Sequence, residues 1–236
     1  MRQRAGSPAA GAADDGHSPL PDAPEPRWPA LIAGLAAAGL SAALPEYLSV
    51  GPWWLPLAVA GPLIVATTLA HRRAYHAANI VLGHVLSAVL TAFLVGSLLL
   101  LIRALPEHRE APAALLRSAV ALWVVNVLVF ALWYWRLDAG GPHARDARPG
   151  HSSGAFLFPQ MMTDEPGVRD AAAGAGGGPW SPQFIDYLFV AFNTSTAFSP
   201  TDTAVLSRWA KVLVMIQASA SLAIVAILAA RAVNVL

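Results

Sequence analysis

The chain has no cysteine among its 236 residues. That excludes a disulfide framework and any thiolate metal site. Charge is scarce as well: Asp, Glu, Lys and Arg make up 12% of the residues, where a soluble domain carries about 25%. Lysine is almost missing, with Lys211 standing beside 14 arginines. A net charge of +1 leaves no polybasic surface, so nucleic acid is not an expected partner. Catalytic signatures are also missing. There is no HExxH, GxSxG or P-loop, and no carboxylate pair within the apolar stretches, so the chain reads as a non-enzyme. His143 and His151 stand in a Gly/Pro-rich stretch without ligand spacing, so no metal or other cofactor is expected.

What is present in excess is apolar, at 56% of the residues. A membrane-spanning helix needs about 20 mostly apolar residues, and about 17 at the short end. Residues 28–44, 53–70, 80–102, 119–135 and 212–235 all qualify; the third of these has no formally charged residue. The expected fold class is all-α: a polytopic helical membrane protein with five firm spans plus one short or re-entrant helix, its surroundings the lipid bilayer. Trp28, Trp53, Trp54 and the Trp133, Tyr134, Trp135 cluster sit at span ends, where amphipathic rings prefer the headgroup level. Ala30, Gly34, Ala38 and Ala42 recur every four residues and share a helix face that lets a neighbouring backbone approach closely. Pro56 and Pro62 interrupt the second span.

The organisation follows. Residues 1–27 lack an apolar core near Met1, so they read as a disordered tail rather than a signal peptide. Residues 28–136 form a four-helix membrane region, 137–182 a flexible Gly/Pro-rich linker, and 183–236 a short helix, a polar turn and a final span. The linker carries an apolar patch, Ala155 to Phe158, which either dips into the headgroup layer or docks under the bundle. Cytoplasmic loops are rich in Arg and Lys. With the N-terminus inside, nine arginines (Arg2, Arg4, Arg27, Arg72, Arg73, Arg136, Arg145, Arg148, Arg169) fall on the cytoplasmic side and three (Arg103, Arg109, Arg117) outside. The N-terminus is therefore expected in the cytoplasm. The Arg, Ala, Gly and Pro content suggests a high-GC bacterial source, hence an inner (plasma) membrane.

The final module holds the candidate functional turn: Asn193, Thr194, Thr196, Ser199 and Asp202. The stretch from Thr194 to Asp202 resembles a degenerate potassium-channel pore module, whose filter reads Thr-x-Thr-Thr-Val-Gly-Tyr-Gly-Asp. Thr194, Thr196 and Asp202 match; Ala197, Phe198, Ser199, Pro200 and Thr201 do not. A carbonyl-lined filter needs its glycines, and Pro200 restricts both itself and Ser199, so that filter is not built here. Residues 184–198 then either span or re-enter; Arg208 and Lys211 favour re-entry and Arg231 the opposite. The plainer reading is a helix connection in which Thr201, Asp202 or Thr203 caps the last helix and Arg208 pairs with Asp202. Four polar groups stand in or at the edge of apolar helices: His84, on one face with Ser87 and Thr91; Asn126; Asp186; and Gln217, with Ser221. Each reads either as a relay or ion-path group or as an interhelical hydrogen bond or cap.

The tail also resembles an uncharacterised family of bacterial predicted membrane proteins, domain of unknown function 1345. The features that carry the likeness are Phe158 and Pro159, the Asp186-Tyr-Leu-Phe-x-x-Phe192 helix, the turn from Thr194 to Asp202, and Arg208 with Lys211 before the final span. The resemblance implies a multi-helix inner-membrane protein and no established activity. Two functions stay open: passage of an ion or small solute, as a homo-oligomer around the final module, and a structural or partner-binding membrane subunit.

Overall fold

Long apolar runs without internal charge satisfy their backbone groups most simply as helices, and that is how most of the chain is built. The computed structural model describes residues 24–104, 112–148, 151, 154–162, 180–196 and 203–233. Seven helices run through them: α1 (Trp28–Ala42), α2 (Leu55–Arg72), α3 (His76–Ala104), α4 (Pro112–Leu137), α5 (Pro142–Asp146), α6 (Phe184–Thr196) and α7 (Arg208–Val233). Two short strands, β1 (Phe156–Leu157) and β2 (Ala204–Val205), pair antiparallel.

Among the described residues, four helices are long and apolar enough to cross a membrane: the stretches Leu55–Arg72, His76–Ala104, Ala114–Gly140 and Arg208–Ala230. The first of the five expected spans falls short. With 15 residues, α1 is about 22 Å long, against a hydrocarbon core of about 30 Å. Its Ala43 cap turns the chain toward Pro45, which cannot continue a helix. Small residues do form its packing face: Ala30, Gly34, Ala38 and Ala42 are all buried. A Cβ on Gly34 would lie 3.7 Å from both Ile64 and Leu86, ordinary contact distance across to α2 and α3.

The centre of the bundle is α4, which packs against α1, α3, α6 and α7. Buried residues fill 61% of its apolar window, against 17% for α7, so α7 lies at the periphery. Call the end where α1 and α3 begin and α2 and α4 finish the near end; Arg27, His71, Asn79 and Trp135 line one cavity there. At that end the chain leaves α4 through Gly140 and Gly141, at φ +83° and +85°. A side chain on Gly141 would meet the Arg136 carbonyl at 2.7 Å, so a glycine is required.

The path of α6 sets up the rest. It starts at the near end, where the Tyr187 hydroxyl donates to Asp138 at 2.7 Å. Running inward beside α4, it brings Ser195 to Asn126. The described chain resumes at Thr203, and β2 is back at the near end: Phe156 of β1 lies against Tyr134 and Tyr187, with Trp209 of α7 against Phe156. Thus α7 starts from the end at which α6 started.

The described residues of the linker include α5 and β1. Its apolar patch docks under the bundle: Ala155, Phe156 and Phe158 are buried, and Leu206 N–H donates to the Ala155 carbonyl at 2.8 Å. Residues 24–27, at the edge of the expected tail, are also tied down, with Glu25 bonded to Trp135 and Arg145. Trp28, Trp53 and Trp54 are exposed as belt residues should be. Tyr134 and Trp135 are not: both are buried inside the bundle, because α6 and the linker cover the end of α4.

Candidate functional site

A helix that stops inside a bundle leaves its last carbonyls without helical partners. Side chains of α4 and α7 meet those of α6. The Gln217 amide donates to the Ala191 carbonyl at 2.7 Å and to Ser195 Oγ at 2.8 Å. The Ser195 carbonyl accepts from Ser221 Oγ at 2.5 Å and from Trp123 Nε1 at 3.4 Å, and that indole also donates to Ser221 Oγ at 3.1 Å. The Tyr134 hydroxyl donates to Gln217 Oε1. Asn126 Nδ2 reaches Ser195 Oγ and the Gln217 carbonyl, each at 3.4 Å. Gln217 is nine residues into α7, about 14 Å at 1.5 Å per residue, close to half the thickness of a bilayer core. The cluster consists of amides, hydroxyls and an indole.

Of the residues singled out in the sequence, Asn126 and Gln217 are therefore brought together, and Thr194 hydrogen-bonds to Tyr134. Ser195 and Trp123 complete the cluster and were not singled out, and Tyr134, expected as a headgroup-belt ring, joins it through Gln217; the signal for Ser195 was its place among the turn hydroxyls. Asn193 and Thr194 lie half-buried on the last turn of α6, and Thr196 Oγ1 donates back to the Asn193 carbonyl at 3.0 Å. Ser199 and Asp202 lie outside the described residues, and with them the Asp202–Arg208 pair. α7 is capped by Ser207, whose Oγ accepts from Ala210 N–H at 3.3 Å; of the expected caps, Thr201 and Asp202 lie outside the described residues and Thr203 precedes β2. Two strand residues intervene, so the turn hydroxyls stand too early in the chain. Asp186 accepts from Gln183 N–H at 2.7 Å, a cap at the start of α6. His84 stands apart from the cluster. Its Nδ1 lies 2.8 Å from the Ile80 carbonyl, while Ser87 and Thr91 bond to carbonyls of their own helix. Trp133 Nε1 also donates to Thr91 Oγ1 at 2.9 Å.

The near end is charged where the interior is neutral. Asp138 is fully buried; its carboxylate accepts from Ala155 N–H at 2.5 Å and Tyr187 at 2.7 Å. Arg145, also buried, donates to the carbonyls of Trp135 and Asp138 at 2.9 and 3.0 Å and to Glu25 at 2.9 Å. Arg27 pairs with Asp146. These contacts hold β1, α5, α6 and residue 25 to the end of α4. Beside them, His143 lies 4.6 Å from His76 and 5.3 Å from His71, ring centre to ring centre. Burial, with Arg27, His76 and His71 adding to it, pushes the His143 imidazole down to about 4. Neutral at ordinary pH, its Nε2 donates to Asn79 Oδ1 at 3.0 Å, since the Asn79 amide nitrogen is engaged with the Thr67 carbonyl. Burial also lowers His151, against the pull of Asp138. Among the described residues no group of three or more His, Cys, Asp or Glu is arranged to hold a metal ion.

A mostly helical bundle with four membrane-length apolar helices fits the class of multi-pass membrane proteins. No protein-family model matches the chain, and no curated protein or solved structure matches it.

Proposed function

We propose that the chain is a multi-pass protein of a bacterial inner (plasma) membrane, in which α6 is the inbound arm of a re-entrant hairpin serving the passage of an ion or small solute. The observation that carries the reading is the path of α6: it starts at the near end, stops beside Asn126, and α7 starts from the near end again. Half-helices that end at membrane depth recur where irregular backbone lines a path or is buried in protein. The likeness of the tail to the uncharacterised membrane-protein family accords with this. The chain is read as a non-enzyme.

The near end faces the cytoplasm. Arg27, Arg72, Arg73, Arg136, Arg145, Arg148, Arg208 and Lys211 cluster there, against Arg103, Arg117 and Arg231 toward the other end. With α1 extended by the turn Glu46–Leu48, five crossings result, and the C-terminus lies outside. The path runs between copies rather than through one chain. The polar groups inside a single bundle are engaged with one another, and α7 leaves most of its surface uncovered.

The test is flux. Purified protein in liposomes should pass a cation, proton or small solute above empty liposomes, and Thr196→Val or Asp202→Asn should change the rate. No flux across several ions would overturn the reading. It would favour the second one, a structural or partner-binding subunit, for which the interhelical hydrogen-bond network at the α6 tip is the specific support.

A further inference from the structure

Among the described residues, Arg136 is a buried cation that the near-end network does not use. It is 7% exposed, and its Nε is buried without a hydrogen-bond partner. Glu25 and Asp146 pair with Arg27 and Arg145, and Asp138 lies beside His151; no carboxylate pairs with Arg136 among the described residues. The guanidinium lies 5.1 Å over the Trp135 ring. It also rests on the backbone of Gly83, where a Cβ would come within 1.8 Å of Nη1. An unpaired charge buried in protein is costly, and such groups are normally paired or bind something.

Two cavities open beside it. One, of about 40 Å³, is bordered by Arg27, His71, Asn79 and Arg136 between α1, α2, α3 and α4. The other, of about 20 Å³, is bordered by His84, His143, Asn79 and Arg136. No Asp or Glu borders either one. A planar guanidinium with no carboxylate partner among the described residues, in a pocket without acidic groups, matches the oxygens of a phosphate group. We propose that Arg136 is the centre of an anion site at the near end of the bundle, taking a phosphate group, either the headgroup of an anionic phospholipid or free inorganic phosphate. Basic pockets between helices at the cytoplasmic face have the chemistry for the first source. The site does not depend on the hairpin conducting anything, and binding rather than flux reads it out.

The full chain, purified in detergent, is titrated separately with inorganic phosphate and with short-chain phosphatidylglycerol, and retained adducts are counted by native mass spectrometry. Wild type should bind at least one of the two saturably, and Arg136→Gln should weaken it tenfold or more. Arg136→Lys should fall between, because it keeps the charge and loses the fork. Gly83→Ala leaves every charge in place and displaces the guanidinium, so it should weaken binding as Arg136→Gln does while helix content stays at the wild-type level; it keeps the test decisive if Arg136→Gln does not fold. Adducts with the lipid alone assign the headgroup, adducts with phosphate alone assign the free ion, and adducts with both assign the shared chemistry. Binding of neither probe, or binding unchanged in Arg136→Gln and Gly83→Ala, overturns the site.

Discussion

The tip of α6 and the near end of the bundle handle buried polarity in opposite ways. At the tip every participant is neutral and drawn from three helices: Gln217, Ser195, Ser221, Trp123 and Tyr134 are matched donor to acceptor, and Asn126 donates through its Nδ2. At the near end the participants are charged, and the carboxylates of Asp138, Glu25 and Asp146 accept from backbone, Tyr and Arg donors. The difference follows from depth. A neutral hydrogen bond can be closed within the apolar interior at modest cost, whereas a full charge is tolerated where its partners and water are near. The tip fixes where α6 stops; the near end fixes where α6 and α7 start.

Substitutions can break this contrast from either side. The largest effect is expected at Asp138. Asp138→Ala strands the Tyr187 hydroxyl and the Ala155 N–H, and should cost about 3–5 kcal/mol of stability. Denaturant unfolding in detergent measures it, and a loss below about 1 kcal/mol would mean the charged end is not an anchor. Next comes Gln217→Leu at the tip, which removes three side-chain contacts. Interhelical bonds of this kind average about 0.6 kcal/mol each and reach about 1.7, so about 2 kcal/mol is expected. Asn126→Leu should cost less, about 0.5 kcal/mol, because its contacts are at 3.4 Å and its Oδ1 is buried without a partner. If Asn126→Leu exceeded Gln217→Leu, the ordering of the network would be wrong.

The smallest effect is one of pH. The folded His143 imidazole titrates at about 4, below its unfolded value. The unfolded chain therefore binds the proton first, and stability falls as pH drops from about 6.5 toward about 4. Partial exposure of the ring keeps the effect small. Thermal midpoints measured across that range should fall for wild type, and less steeply for His143→Asn. The tip, made of neutral groups, should contribute no slope there.

Much of the interior was legible in the sequence. Apolar runs marked the helices, and the four-residue spacing of Ala30, Gly34, Ala38 and Ala42 marked the packed face of α1. Asn126 and Gln217 stood out because an amide in an apolar helix needs a partner. What was not legible were the partners. Ser195 looks like any other turn hydroxyl until α6 is laid against α4 and α7. Asp138 and Arg145 read as linker charges because their burial depends on β1 and α5 folding back under α4. The burial of Tyr134 and Trp135 has the same cause: aromatic residues at a helix end signal a headgroup belt only if nothing covers them. Ser207 was passed over as a cap since β2 delays the start of α7 in a way composition does not mark.

The central claim is that α6 enters and leaves by one face. The chain has no native cysteine, so single cysteines report cleanly. Gln183 precedes α6, and Leu206, 53% exposed, follows β2. Gln183→Cys and Leu206→Cys, each probed in intact cells and in inverted vesicles with a membrane-impermeant maleimide, should both be labelled from the cytoplasmic face alone. Labelling of the two from opposite faces would make α6 a full crossing and contradict the hairpin.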